Sequence, residues 1–166
     1  MICCLHLFPD TPICRNYKTK ETDVVQRVRA QFPLYTWISD RRVSDGCSVR
    51  RPDLLCDFGT HIIIVEVDEH QHRDYDTTCE NKRIMELSHD VGYRPIVFIR
   101  FNPDAYVNAN GVFIPTPWGL NKLGVMTIKK KREREWDERI QNLFTKIEFF
   151  SQNCPTKMIE IVQLFY

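Results

Sequence analysis

The order of apolar and polar positions predicts a chain in which helices alternate with strands. Apolar residues at helical spacing predict a first helix, with Thr19 as its N-cap and Pro33 at its end. The aromatic and β-branched residues of 35–42 predict a strand. Two further strands are expected within residues 53–69, where a turn at Gly59 separates them.

The second of these strands, residues 61–69, is the most informative part of the pattern. Its β-branched run, Ile62 to Val67 with Glu66 inside it, is too apolar to face water on both sides. A helix over 79–91, ended by Gly92, and an apolar strand over 95–101 follow it. A strand–helix–strand unit of this kind predicts two parallel strands with the helix packed on the sheet.

The rest of the chain predicts a loop-rich segment, a long helix and a last strand. Residues 102–124 are rich in proline, glycine and asparagine, which is typical of a functional loop or a hairpin arm. The helix after residue 135 has an apolar stripe, and residues 158–166 read as a strand. We therefore predict an irregular segment over 1–17 and one α/β domain over 18–166, with a mixed central sheet flanked by helices.

Composition places the chain among globular proteins and gives no global reason to bind a polyanion. Of its 166 residues, 43% are hydrophobic and 27% are charged, and the formal net charge is +1. A nucleic-acid site would therefore have to be a local basic patch. No apolar run reaches about 18 residues, so no membrane span is expected. The seven cysteines and the lack of an export signal favour an intracellular location, in cytoplasm or nucleus.

Acidic residues at the end of the central strand carry the candidate chemistry. Side chains alternate along a strand, so Glu66, Asp68 and His70 share one face, and Asp53 lies at the start of the neighbouring strand. Clustered carboxylates repel each other and raise each other's pKa unless a cation lies among them. Mg²⁺ prefers oxygen ligands and suits such a cluster, and Mn²⁺ is expected to substitute. The alternative is that Asp53 and Asp68 are solvated acids at strand ends.

These residues also carry a resemblance to a nuclease superfamily. Arg51-Pro52-Asp53, a turn, and an apolar strand ending in Glu66-Val67-Asp68 resemble the metal core of the PD-(D/E)XK nucleases. Within it, VEVDEHQH (residues 65–72) is similar to the signature of very-short-patch-repair (Vsr-like) endonucleases, as is the segment over 80–103. Similar domains occur in large DNA viruses and algae. The resemblance covers a core over 18–103 and implies a restriction-endonuclease-like fold.

The resemblance implies a Mg²⁺-dependent endonuclease that hydrolyses DNA in repair, recombination or junction processing. It implies that Asp53, Glu66 and the backbone carbonyl of Val67 ligate the metal, and that Glu21 on the first helix helps to bind or orient it. Where the superfamily pattern has lysine, this chain has Asp68, which would instead bind a second metal or orient a water molecule.

Cations elsewhere are expected to supply the function of the missing lysine and to hold DNA. Lys82, beside Arg83 on the predicted helix, and His72 as a general base are the candidates for the former. Two basic groups suit phosphate contact, although each also reads as a solvated surface. They are Arg41, Arg42, Arg50 and Arg51 around the first turn, and Lys129, Lys130, Lys131 and Arg132 before the long helix. Cleavage of both DNA strands would require either two sites, and hence a homodimer, or sequential nicks by one site.

The sequence leaves two other interpretations open. The first is a catalytically inactive nucleic-acid-binding or assembly module that keeps the same fold. The second is zinc, since nitrogen and thiolate ligands prefer Zn²⁺ to Mg²⁺. One zinc group would be Asp68, His70, His72 and Cys79, and another would be Cys3, Cys4, His6 and Cys14.

Overall fold

A computed structural model describes residues 18–44, 46–69 and 77–166, which form a mixed α/β structure with a central five-stranded sheet. Three helices flank the sheet: α1 (Thr19–Gln31), α2 (Thr77–Asp90) and α3 (Glu133–Gln152). The strands are β1 (Trp37–Ile38), β2 (Leu54–Asp57), β3 (Ile62–Val67), β4 (Ile96–Phe101), β5 (Tyr106–Val107), β6 (Phe113–Ile114), β7 (Trp118–Leu120), β8 (Met126–Ile128) and β9 (Ile159–Leu164).

The central sheet has the strand order β1–β2–β3–β4–β9. Strands β1, β2 and β3 are antiparallel neighbours, whereas β4 pairs in parallel with both β3 and β9. The predicted parallel pair joined by a helix is thus confirmed. The register places Glu66 beside Arg100, and it makes the carboxyl ends of β3 and β4 meet at one edge of the sheet.

Both faces of β3 are covered, which explains its unbroken apolar run. Ile63, Val65 and Val67 pack in one core with residues of α1 and α3. Ile62 and Ile64 belong to a second core with α2. Because side chains alternate along a strand, Glu66 continues the α2 face where the apolar residues of that face end. An acidic group is therefore buried between the sheet and the start of α2.

The first strand is shorter than the sequence predicts. The predicted strand over 35–42 is wrong beyond Trp37–Ile38, because Asp40 has a positive φ of 49° and its N–H donates to the Pro52 carbonyl. Helix α1 is capped by Lys18, and Thr19 is its first residue instead of its N-cap. Strand β2 starts at Leu54, so Asp53 lies just before the strand.

The segment over 102–124 does not form an open loop. Strands β5 and β6 make one short hairpin, and β7 and β8 make another that extends a few residues past the segment. Both hairpins follow β4 in the chain, and the long helix α3 then returns to the sheet and leads into β9. Within the described ranges, no helix is both long enough and apolar enough to cross a membrane.

Candidate active site

A cleft of about 430 Å³ opens at the edge where β3 ends. Its walls come from the start of α1, the residues before β2, the end of β3 and the first turns of α2. Acidic and basic side chains line it together. They are Lys18, Glu21, Asp40, Arg50, Arg51, Asp53, Glu66, Asp68, Glu69, Glu80, Arg83 and Arg100.

Asp53 is fixed at the cleft by a hydrogen bond that extends the β2–β3 pairing. Its Oδ2 accepts the N–H of Val67 at 2.8 Å, although β2 itself starts one residue later. Burial raises the pKa of Asp53 to about 6, against the opposing effect of that bond, and the charge of Glu21 raises it further. Within the described residues, Oδ1 of Asp53 has no hydrogen-bond partner. One oxygen is thus structural, and the other is available to a ligand.

Among the acids that face this cleft from the sheet, only Asp68 is more buried than Glu66. Burial is the main cause that raises the pKa of Glu66 to about 8, and the charge of Asp53 adds to it. The guanidinium of Arg83 opposes this increase, since its NH2 donates to both carboxylate oxygens at 2.7 and 2.8 Å. The one guanidinium at Glu66 therefore does not offset its burial and the nearby charge of Asp53.

The raised pKa of Glu66 makes stability depend on pH. Above about pH 4.5 the unfolded chain releases a proton that the folded protein keeps on Glu66. This contribution is complete at low pH and is lost as the pH rises through the folded pKa, and Asp53 acts in the same direction up to about pH 6. We expect the unfolding free energy of the metal-free protein to fall by about 2 kcal/mol between pH 6 and pH 8.

Urea denaturation at both pH values measures this change. Glu66→Gln is the control, because it keeps an acceptor for Arg83 and removes the titrating group. The variant should lose most of the pH dependence, and parallel pH profiles for the two proteins would contradict the assignment to Glu66.

Asp68 is held by partners that the sequence did not indicate. Its Oδ2 accepts Nε of Arg100 at 2.5 Å and the hydroxyl of Tyr166. Arg100 also pairs with Glu80, and its guanidinium lies 5.5 Å from the centre of the Tyr166 ring. Asp68 thus belongs to a buried ionic network between β3, β4 and the chain's last residue, which favours a structural role over a second metal or a bound water.

Some of the predicted site residues come together in the cleft. Glu21 lines it and accepts a hydrogen bond from Lys18 at 3.0 Å. Arg50 reaches the cleft from the segment before β2 and pairs with Glu86 at 2.5 Å, while Arg51 is exposed at the same wall. Val67 also lines the cleft, at the point where Asp53 contacts its backbone.

Other predicted residues lie elsewhere. Lys82 does not line the cleft: its side chain is 69% exposed and its Nζ lies 4.0 Å from Glu86. Arg41 and Arg42 line a separate cavity of about 280 Å³ beside Arg94. The basic run from Lys129 to Arg132 forms the turn before α3, with its three lysines exposed. His72 lies outside the described residues, as do His70, Cys3, Cys4, His6 and Cys14.

A metal would have to compete with the ion pairs of this cleft. Among the residues that the structure describes, no three histidine, cysteine, aspartate or glutamate side chains are arranged to hold a metal ion. Arg83 engages both oxygens of Glu66, so a metal at this acid would have to displace or share that contact. The donor set still suits a hard divalent cation, because burial raises the pKa of both Asp53 and Glu66 and the charge of Asp53 raises that of Glu66 further. Of the first proposed zinc group, Asp68 and Cys79 both line the cleft.

Comparison with known proteins adds no relative to this description. Neither protein-family models, nor curated proteins, nor solved structures gave a match to the chain.

Proposed function

We propose that the protein is a Mg²⁺-dependent endonuclease that hydrolyses DNA phosphodiester bonds, of the PD-(D/E)XK, Vsr-like kind. The observation that carries this proposal is the pair of acids, half-buried Asp53 and buried Glu66, at the edge of a mixed sheet. Further support comes from the arginines that line the same cleft and from the order of motifs along the chain.

Asp53, Glu66 and the backbone carbonyl of Val67 are the groups that would hold the metal. Bound there, Mg²⁺ would polarise the scissile phosphate and lower the pKa of an attacking water molecule, and Mn²⁺ would substitute for it. The two carboxylates must lose their protons to bind a cation, so metal affinity rises with pH through the range about 6 to 8.

The chain's own groups orient the reaction. The N–H of Val67 fixes the Asp53 carboxylate against the end of β3 through one oxygen, and the other oxygen remains available to a ligand. Arg51, exposed at the cleft wall, meets the DNA backbone with a planar fork that matches phosphate oxygens. Burial of Glu66 keeps water away from its carboxylate and strengthens every charge interaction around it.

Cleavage of supercoiled plasmid and of labelled mismatched and branched DNA, with Mg²⁺ or Mn²⁺ and with a chelator, tests the proposal. We expect metal-dependent cutting, and the preferred DNA would define the biological role. No cutting of any substrate with either metal would overturn it.

The alternative function is a nucleic-acid-binding or assembly module without catalysis. The observation that favours it is the Arg83–Glu66 pair, which neutralises one acid without a metal. Metal affinity separates the two functions: the nuclease binds Mn²⁺ at Asp53 and Glu66, whereas the module binds DNA without measurable metal at these acids.

The exposed lysines before α3 give a prediction about DNA binding. Changing Lys129, Lys130 and Lys131 together to Gln should make the slope of log K against log salt shallower by about 2 to 3, because each phosphate contact contributes about 0.9. Affinity titrations of a short duplex at several salt concentrations measure this slope. Lys146→Gln, an exposed change on α3, controls for loss of a surface charge. An unchanged slope in the triple variant would show that these lysines are a solvated turn.

A further inference from the structure

Arg83 uses only part of its guanidinium to bind the protein. NH2 donates to both oxygens of Glu66 and, at 3.2 Å, to the carbonyl of Arg51. Nε and NH1 have no partner within the described residues. Since Arg83 lines the cleft and its side chain is 32% exposed, these two donors are open to a ligand.

Two other cations that line the cleft, Arg100 and Arg50, are already bound to acidic side chains. Arg100 is bound to Asp68 and to Glu80, and Arg50 is bound to Glu86. The position where the superfamily pattern has lysine holds Asp68, which adds negative charge. A phosphate that approaches Asp53 and Glu66 would meet a repulsive field unless a nearby cation contacts it.

We propose that Arg83 binds a phosphate oxygen of the DNA through Nε–H or an N–H of NH1, and so supplies the positive charge that a lysine at position 68 would give. This inference rests on the proposed function, because it names the residue that holds the substrate phosphate at that same site. Nε–H and the N–H groups of NH1 point in different directions, so the contact is a single charge-assisted hydrogen bond, while NH2 stays on Glu66.

Duplex binding in the presence of a chelator tests the proposal without any catalysis. Arg83→Met should weaken binding of a 20-bp duplex about tenfold and make the salt slope shallower by about 1, as expected for one lost phosphate contact. Lys146→Met removes a positive charge from α3 and should change neither quantity. Arg83→Lys keeps the charge but not the guanidinium that holds Glu66 and the phosphate together, so it should keep most of the slope and lose part of the affinity.

Lys82→Met separates the two adjacent cations of α2. If Lys82→Met changes the slope and Arg83→Met does not, the assignment to Arg83 is overturned. Loss of Arg83 also leaves Glu66 without its partner, which is a risk to folding. Glu66→Gln combined with Arg83→Met avoids this, and it is compared with Glu66→Gln alone. Equal slopes for these two proteins would overturn the proposal as well.

The outcomes distinguish this inference from the proposed function. If the wild type cuts DNA and Arg83→Met binds and cuts as well as wild type does, only the inference fails. If the wild type binds DNA without cutting and Arg83→Met lowers the slope, the inference stands and the nuclease fails. A wild type that neither binds nor cuts DNA overturns both.

Discussion

Asp53→Asn and Glu66→Gln are each expected to reduce metal-dependent DNA cleavage by at least about 10³-fold. Each change removes one negatively charged oxygen ligand and keeps the shape of the side chain. A metal contributes several kcal/mol to stabilising the charge of the transition state, and about 1.4 kcal/mol corresponds to a tenfold change in rate. Single-turnover cleavage of the preferred DNA, at saturating Mg²⁺ and enzyme, measures the loss.

The same variants should remain folded, which makes the result specific to catalysis. An asparagine at position 53 still accepts the N–H of Val67, and a glutamine at position 66 still accepts from Arg83. Because burial and neighbouring acids (Glu21 for Asp53, and Asp53 for Glu66) raise the pKa values of both side chains, a neutral side chain relieves an unfavourable interaction near pH 8. We therefore expect unfolding free energies equal to or above that of the wild type at this pH.

Asp57→Asn is the matched control for the acid-to-amide change. Asp57 lies at the other end of β2 and forms an exposed ion pair with Arg94, outside the cleft. Surface pairs contribute roughly 0 to 1 kcal/mol to stability, so this variant should fold and cut DNA at the wild-type rate. Wild-type cleavage by Asp53→Asn or Glu66→Gln would show that the acidic pair is not catalytic.

The sequence predicts the central elements well because packing leaves a strong periodic signal there. An apolar run that is covered on both faces differs clearly from an amphipathic one, so β3, α2 and β4 are all apparent in the sequence. Strand alternation also predicts that Glu66 and Asp68 share the α2 face. The predicted strand over 35–42 is too long because β-propensity is a local property. The left-handed conformation of Asp40 and its hydrogen bond to the Pro52 carbonyl depend on another part of the chain.

The helical periodicity of α2 predicts that Arg83 lies nearer than Lys82 to the face that packs on the sheet. At about 100° per residue, Arg83 lies roughly 70° from the centre of the stripe formed by Ile84, Leu87 and Val91, whereas Lys82 lies roughly 170° from it. The structure agrees, since Arg83 reaches Glu66 and Lys82 points to solvent. Applied to charged residues as well as apolar ones, the same periodicity predicts which cation faces the sheet.

The partners of Asp68 could not be predicted in this way. An arginine inside the apolar strand over 95–101 indicates a buried acid nearby, but the sequence does not say which one. Arg100 meets Asp68 through the parallel register of β3 and β4, and Tyr166 arrives from the end of β9, 98 residues away in sequence. Side chains that meet only through sheet topology carry no local pattern.

Arg100→Met is expected to lower the free energy of unfolding by about 3 to 5 kcal/mol, the usual loss when one member of a buried ion pair is removed. Arg100 and Asp68 are 9% and 2% exposed, so the change leaves a carboxylate in a site where water cannot replace the guanidinium. The loss of the contacts to Glu80 and to the Tyr166 ring adds to this effect. Urea denaturation at pH 7 measures it.

A double-mutant cycle with Asp68→Asn isolates the ion pair from the other contacts of Arg100. The asparagine side chain keeps an acceptor for the Tyr166 hydroxyl and carries no charge, so the double variant should recover a large part of the stability that Arg100→Met loses. Additive effects of the two changes would instead show that Asp68 and Arg100 act independently. In that case Asp68 would again be a candidate ligand, whereas a strong coupling energy means that its charge is already neutralised and leaves Asp53 and Glu66 as the acids that face a metal.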